Sequence, residues 1–223
     1  MSKQRITHLI FDMDGLLLDT ESLHKQVNET IAQRYGKIFD NSVRVQMIGR
    51  PTFDSAQVIV KHLALPISPA AYLEQRNELL YQLYPQAQPL PGAKELTCHF
   101  AQHQIPQAIA TSSSCSHFEK KMKQYDKWLE LFDCLVLGDD PAIKQGKPAP
   151  DIFLLAAARL KADPNNCLVF EDSVAGMKAA IAAGMSVVVV PDADFDRNLF
   201  TQADLVLNSL EEFNPGDWGL PQF

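Results

Sequence analysis

Five short apolar runs, each rich in Val, Ile or Leu and closed by polar or turn residues, punctuate the chain: THLIFD (7–12), PQAIAT (106–111), CLVLG (134–138), CLVFED (167–172) and SVVVVP (186–191). Runs of three or four apolar residues without alternation predict strands buried on both faces. A sixth, DLVLNS (204–209), is weaker. Between them the spacing of apolar residues predicts helices over 92–103, 115–128, 149–162 and 173–183. The last of these, VAGMKAAIAAG, is dense in small residues that permit close approach to a sheet, and it stops at Gly184, a residue suited to ending a helix. Strands alternating with helices in this way predict an α/β fold: a doubly wound, Rossmann-like parallel sheet with helices on both faces.

One region breaks the alternation. From about residue 20 to 86 the chain is helical in character throughout, with Val27 and Ile31, then Val58 and Ile59, at helical spacing and no convincing strand. The expected organisation is therefore a core made of 1–18 and 88–223, with a small α-helical cap domain, 19–87, inserted after the first strand. The chain returns to the core through PQAQPLPGA, whose prolines and glycine suit a linker or hinge.

Composition narrows the partners. The chain has 223 residues, 46% of them hydrophobic, enough for a full core. Its formal net charge of −7 repels nucleic acid polymers and anionic membrane surfaces. Small anionic substrates stay open, because a metal ion and one well-placed lysine reverse the sign locally. The four cysteines, Cys98, Cys115, Cys134 and Cys167, contain no C-x-x-C pair, which argues against a zinc site or a disulfide framework. No basic-plus-apolar leader opens the text and no apolar run approaches spanning length, so a reducing cytoplasm is the expected compartment and a monomer the expected form.

Four pieces carry candidate chemistry. In DMDG, Asp12 and Asp14 follow the first strand two residues apart, where one carboxylate could act as a nucleophile and the other as a proton donor; a solvated turn would read the same. In FEDSVAGMKAA, Glu171 and Asp172 leave a second buried strand together and could complete an oxygen-ligand site for Mg²⁺, or Asp172 or Ser173 could cap the next helix. In IATSSS, Thr111 and Ser112 offer hydroxyls at a turn whose backbone N–H groups suit phosphate oxygens, although Ser and Thr cap helices too. In KQGKPAPDIF, Lys147 precedes two prolines that stiffen its loop, where a surface charge is the ordinary alternative.

Together, FDMDG, the hydroxyl after the second strand, GKPAP and FEDS.AG..AA..AGM, in that order and with a helical insert after the first strand, resemble the haloacid dehalogenase-like hydrolase superfamily over essentially the whole chain. The insert resembles the small cap of the β-phosphoglucomutase-like subfamily. Within that subfamily LGDDP, GKPAPDIF and the tail LVLNSLEEFNPGDWGLP look like the pseudouridine-5′-phosphatases. The resemblance implies a Mg²⁺-dependent phosphatase of small phosphomonoesters, with pseudouridine 5′-phosphate first and sugar phosphates or flavin mononucleotide behind it. A sugar phosphomutase using the same acids is the alternative. It makes Asp12 the nucleophile and Asp14 the acid and base. Mg²⁺ would be held by Asp12, Asp14 through its carbonyl, Asp172 and, directly or through water, Glu171. Thr111, Ser112 and Lys147 would bind the phosphoryl group. The cap would close over the site, with His24 in DTESLH and Arg50 in MIGRP as candidate substrate contacts.

Overall fold

The computed structural model describes residues 5–47 and 52–223. All six apolar runs form strands of one parallel sheet: β1 (His8–Phe11), β2 (Gln107–Ala110), β3 (Cys134–Val136), β4 (Cys167–Glu171), β5 (Ser186–Val189) and β6 (Leu205–Val206), in the order β3-β2-β1-β4-β5-β6. In register, Ile10 of the central β1 lies opposite Ala108 on one side and Val169 on the other. The winding reverses beside β1, and a doubly wound sheet opens its ligand crevice at such a point, beyond the carboxyl ends of the strands. Here that point lies between the segments following β1 and β4.

The chain divides into two compact units, Met1–Asp19 with Gln88–Phe223, and Thr20–Ala87. The second unit contains α1 (Glu21–Arg34), α2 (Asn41–Met47), α3 (Thr52–His62) and α4 (Pro69–Leu83). Ser68 caps α4 by accepting from the Ala71 N–H, and Pro69 follows at the first helical position. Between α1 and α4 the buried Tyr72 hydroxyl donates to Asn28 at 2.6 Å, which satisfies a polar pair inside this small core.

In the first unit, α5 (Ala93–Gln102), α6 (Cys115–Met122), α7 (Asp126–Leu129), α8 (Asp151–Leu160) and α9 (Val174–Ala182) complete the helices. Strand side chains alternate between faces. Ile10, Ala108, Val169 and Val187 point into one core layer with Phe153 and Ala156 of α8 and Met177 and Ala180 of α9. Phe11 and Phe170 point the other way and stack at 4.7 Å. Phe213 closes on Phe170 edge-on at 4.9 Å and meets Phe100 of α5 at 6.4 Å. The tail that carries Phe213 and Trp218 thus covers the second face of the sheet, and burying each such ring stabilises by roughly 2–3 kcal/mol. Among the described residues no helix is long and apolar enough to cross a membrane.

The helix expected over 115–128 is two helices, α6 and α7, with Tyr125 out of helical conformation between them at φ −120°, ψ 27°. The break turns Trp128 inward, where its indole N–H donates to Thr97 Oγ1 at 2.8 Å and its ring meets Tyr125 edge-on at 5.7 Å. A buried indole needs such an acceptor, and that requirement outweighs local helical periodicity.

Candidate active site

The chain leaves β1 still paired: the Asp12 N–H donates to the Phe170 carbonyl at 2.9 Å, which fixes the Asp12 backbone against β4. Its side chain is buried, 8% exposed. Lys147, in the loop between β3 and α8, reaches back across the crevice. Its ammonium donates to Asp12 Oδ1 at 2.5 Å, Glu171 Oε1 at 2.6 Å and the Ala110 carbonyl at 3.1 Å. An ammonium has three protons, so all three are engaged by three different strand ends. Burial raises the Asp12 carboxyl from its ordinary value, Lys147 pulls it back down and Glu171 and Asp14 push it up again, which together bring it to about 7. Burial alone would lower the Lys147 ammonium, but Asp12 and Glu171 outweigh it and hold the group charged, above the usual lysine range.

Glu171 is fully buried and both its oxygens are taken. While Oε1 holds Lys147, Oε2 accepts from the backbone N–H groups of Asp172 at 3.1 Å and Ser173 at 3.0 Å and from the Ser173 hydroxyl at 2.9 Å. The sequence reading offered Glu171 as a metal ligand, directly or through water; here its carboxylate holds Lys147 and the turn into α9. Ser173 caps α9 by accepting from the Gly176 N–H at 3.0 Å, so the capping alternative holds for Ser173.

Asp14 is reached from another side. Lys121 Nζ donates to Oδ1 at 2.5 Å, and Oδ2 accepts from the Ser113 hydroxyl at 2.8 Å and the Thr111 hydroxyl at 3.3 Å. Thr111 is buried at the end of β2, as its expected place requires, but its hydroxyl faces a carboxylate. Ser112 is exposed at the turn, and its carbonyl occupies the space a Cβ on Gly138 would take, 2.2 Å away. Ser113 and Lys121 escaped the sequence reading. The signal for Lys121 was its position three residues after Phe118 and beside Met122, on the buried face of α6. His24, in α1, pairs through Nδ1 with Glu21 Oε1 at 3.1 Å within the helical unit. Arg50 lies outside the described residues.

Does this arrangement fit a divalent cation? Among the described residues no three His, Cys, Asp or Glu side chains are grouped so as to hold one. Lys147 and the turn into α9 engage the Glu171 oxygens, and Lys121, Ser113 and Thr111 engage the Asp14 carboxylate, while Lys147 meets Asp12 at Oδ1, so the carboxylates considered for a cation are those of Asp12 and Asp172. Mg²⁺ takes only one or two protein carboxylates and keeps several waters, so that set is sufficient. Two further observations favour the fit. Gly15, at φ +78°, has no Cβ, and a Cβ there would lie 2.2 Å from Asp172 Oδ2, so the Asp172 carboxylate rests against the Asp14–Gly15 backbone. Glu171 and Asp14 also each push the Asp12 carboxyl upward, a crowding of carboxyl groups that a divalent cation would offset.

The family model for haloacid dehalogenase-like hydrolases matches residues 6–184. (DL)-glycerol-3-phosphatase 1, mitochondrial, of Arabidopsis thaliana is 43% identical, over 98% of this chain and 75% of its own length. A Drosophila melanogaster protein named "Probable pseudouridine-5′-phosphatase" is 42% identical, over 99% of this chain and 96% of its own length. The crystal structure of β-phosphoglucomutase from Clostridium difficile superposes with a TM-score of 0.68 at 24% identity, covering 94% of this chain and 93% of that one, a likeness of fold.

Proposed function

The chain belongs to the haloacid dehalogenase-like hydrolase family and is a phosphatase, and from that premise we propose that it hydrolyses small phosphomonoesters through a covalent intermediate on Asp12. The observation that carries this reading is Lys147 joining Asp12 and Glu171, residues from the ends of two adjacent strands 159 positions apart in the sequence, at the switch point of the sheet.

Lys147 engages Oδ1 of Asp12, so Oδ2 is the oxygen proposed to attack phosphorus. The ester P–O bond breaks as the Asp12–phosphorus bond forms, and Asp14 gives its proton to the departing oxygen. Asp14 then takes a proton from water, whose oxygen attacks phosphorus; inorganic phosphate leaves and the Asp12 carboxylate is restored. As Oδ1 loses charge to the new bond, Lys147 shifts donation toward a phosphoryl oxygen, and the Thr111 hydroxyl and the Ser112 backbone are the proposed remaining contacts. A Mg²⁺ ion held by Asp12, Asp172 and the Asp14 carbonyl would neutralise phosphoryl charge, the main requirement of phosphoryl transfer. The helical unit is proposed as the domain that supplies substrate contacts.

Pseudouridine 5′-phosphate is the first substrate proposed, supported by the 42% relative. Glycerol 3-phosphate is the second, supported by the 43% relative. Ranking kcat/KM over these two, flavin mononucleotide and sugar phosphates decides between them. Asp12→Asn tests the mechanism: turnover falls to background while the fold is retained, and unchanged turnover overturns the nucleophile assignment. Incubation with β-glucose 1-phosphate gives free phosphate in this reading; glucose 6-phosphate would show a mutase.

A further inference from the structure

Both oxygens of the Asp14 carboxylate are held, and the strongest donor comes from outside the motifs. Lys121 projects from the same face of α6 as the buried Phe118 and Met122, and its side chain is 3% exposed. A lysine on a helix of this kind ordinarily runs its stem along the surface and keeps its ammonium in water. Turning it inward costs several kcal/mol of desolvation unless the charge is met by close partners. Lys121 Nζ lies 2.5 Å from Asp14 Oδ1 and 2.8 Å from Ser113 Oγ. The Ser113 hydroxyl in turn donates to Asp14 Oδ2 at 2.8 Å. Donor and acceptor roles close without conflict: the ammonium gives two protons, and the hydroxyl accepts one and passes its own on. A carboxylate held at one oxygen can swing about its last bond. Held at both, by groups that also hold each other, its plane is fixed.

Resting on the reading of Asp14 as acid and base, we propose that Lys121, acting with Ser113, is a positioning residue for both proton transfers. Lys121 carries no proton to the substrate; it sets where the Asp14 oxygens stand when the leaving oxygen departs and when water attacks.

A residue with that role has a kinetic signature that a merely structural one lacks. A strongly basic alkoxide leaves only with a proton, whereas p-nitrophenolate leaves without one. In Lys121→Met, kcat for an alkyl phosphate falls on the order of 100-fold, the scale of one general acid–base contribution, with KM within about threefold. With p-nitrophenyl phosphate the same variant releases a rapid burst of one nitrophenolate per enzyme and then turns over slowly, because only the second proton transfer is impaired. Ser113→Ala, which leaves no buried charge unmet, shows the same pattern at smaller amplitude and carries the test if Lys121→Met does not fold. Equal losses in burst rate, steady-state rate and alkyl phosphate turnover, or no loss in either variant, overturn the proposal. Failure of the underlying reading is distinct: it shows as alkyl phosphate turnover retained by Asp14→Asn.

Discussion

Gly176, in the first turn of α9, lies directly under Glu171: a Cβ there would sit 1.8 Å from the Glu171 carboxyl carbon. No real Cβ tolerates that contact, and Glu171 has no slack, because its oxygens are fixed by Lys147 and by the turn into α9. Gly176→Ala therefore displaces the anchor of Lys147. We predict a destabilisation of about 1–3 kcal/mol, typical of overpacking, together with a fall in kcat of at least about tenfold. Thermal melting and steady-state assays measure the two effects, and an unchanged kcat would separate Glu171 from catalysis.

Lys147 and Glu171 form a buried ion pair, 6% and 1% exposed at their side chains. Removing Lys147 leaves the Glu171 charge without its cation, and removing Glu171 leaves Lys147 with Asp12 alone; breaking such pairs costs up to about 3–5 kcal/mol, and removing both costs less than the sum. Lys147→Met and Glu171→Gln are each expected to be strongly destabilising, and the double variant less so than their sum, with a coupling above about 1 kcal/mol by urea denaturation. Additive effects would show that the pair contributes no mutual stabilisation.

The strands and their winding were legible because buried parallel strands leave uninterrupted apolar runs, and β6, the weakest run, is also the shortest strand, two residues long. DMDG, the hydroxyl turn, GKPAP and FEDS were legible as spacing. Their wiring was not. Which oxygen of Glu171 meets Lys147, and that Ser113 rather than Ser112 faces Asp14, depend on side-chain directions set by packing, to which one-dimensional spacing is blind. Lys121 shows the same limit: its place on the apolar face of α6 was visible, but an inward lysine is so costly that only its partner, 107 residues away, accounts for it. The break before α7 likewise depends on Thr97, distant in sequence from Trp128.

Gly15 and Asp172 give the metal proposal a test independent of turnover. Gly15→Ala introduces a Cβ where the Asp172 carboxylate rests and strains a backbone at φ +78°. The Lys147 pairs with Asp12 and Glu171 involve neither residue. The expected outcome is a Mg²⁺ affinity at least about tenfold weaker by calorimetry, equivalent to about 1.4 kcal/mol. Chelation of the wild-type protein with EDTA should abolish hydrolysis, and added Mg²⁺ should restore it. Equal Mg²⁺ binding by wild type and Gly15→Ala would remove Asp172 from the proposed ligand set.

His8 opens β1, with its ring nitrogen Nδ1 2.8 Å from the Thr7 hydroxyl. Burial lowers its pKa below the ordinary histidine value, and Asp133 only partly raises it again. The sign of the stability effect follows from proton binding. As the pH falls through about 6.5, the unfolded chain takes up a proton that the folded ring still resists. The unfolded state then binds more protons, so the contribution is fully present above that pH and is lost as the pH falls toward the depressed folded value. His8→Gln removes the titration while keeping a polar side chain at the strand start. Urea midpoints at about pH 5 and about pH 7.5 should therefore differ less in His8→Gln than in the wild type. An identical pH dependence in the two proteins would show that the His8 ring takes up its proton as readily in the folded chain as in the unfolded one.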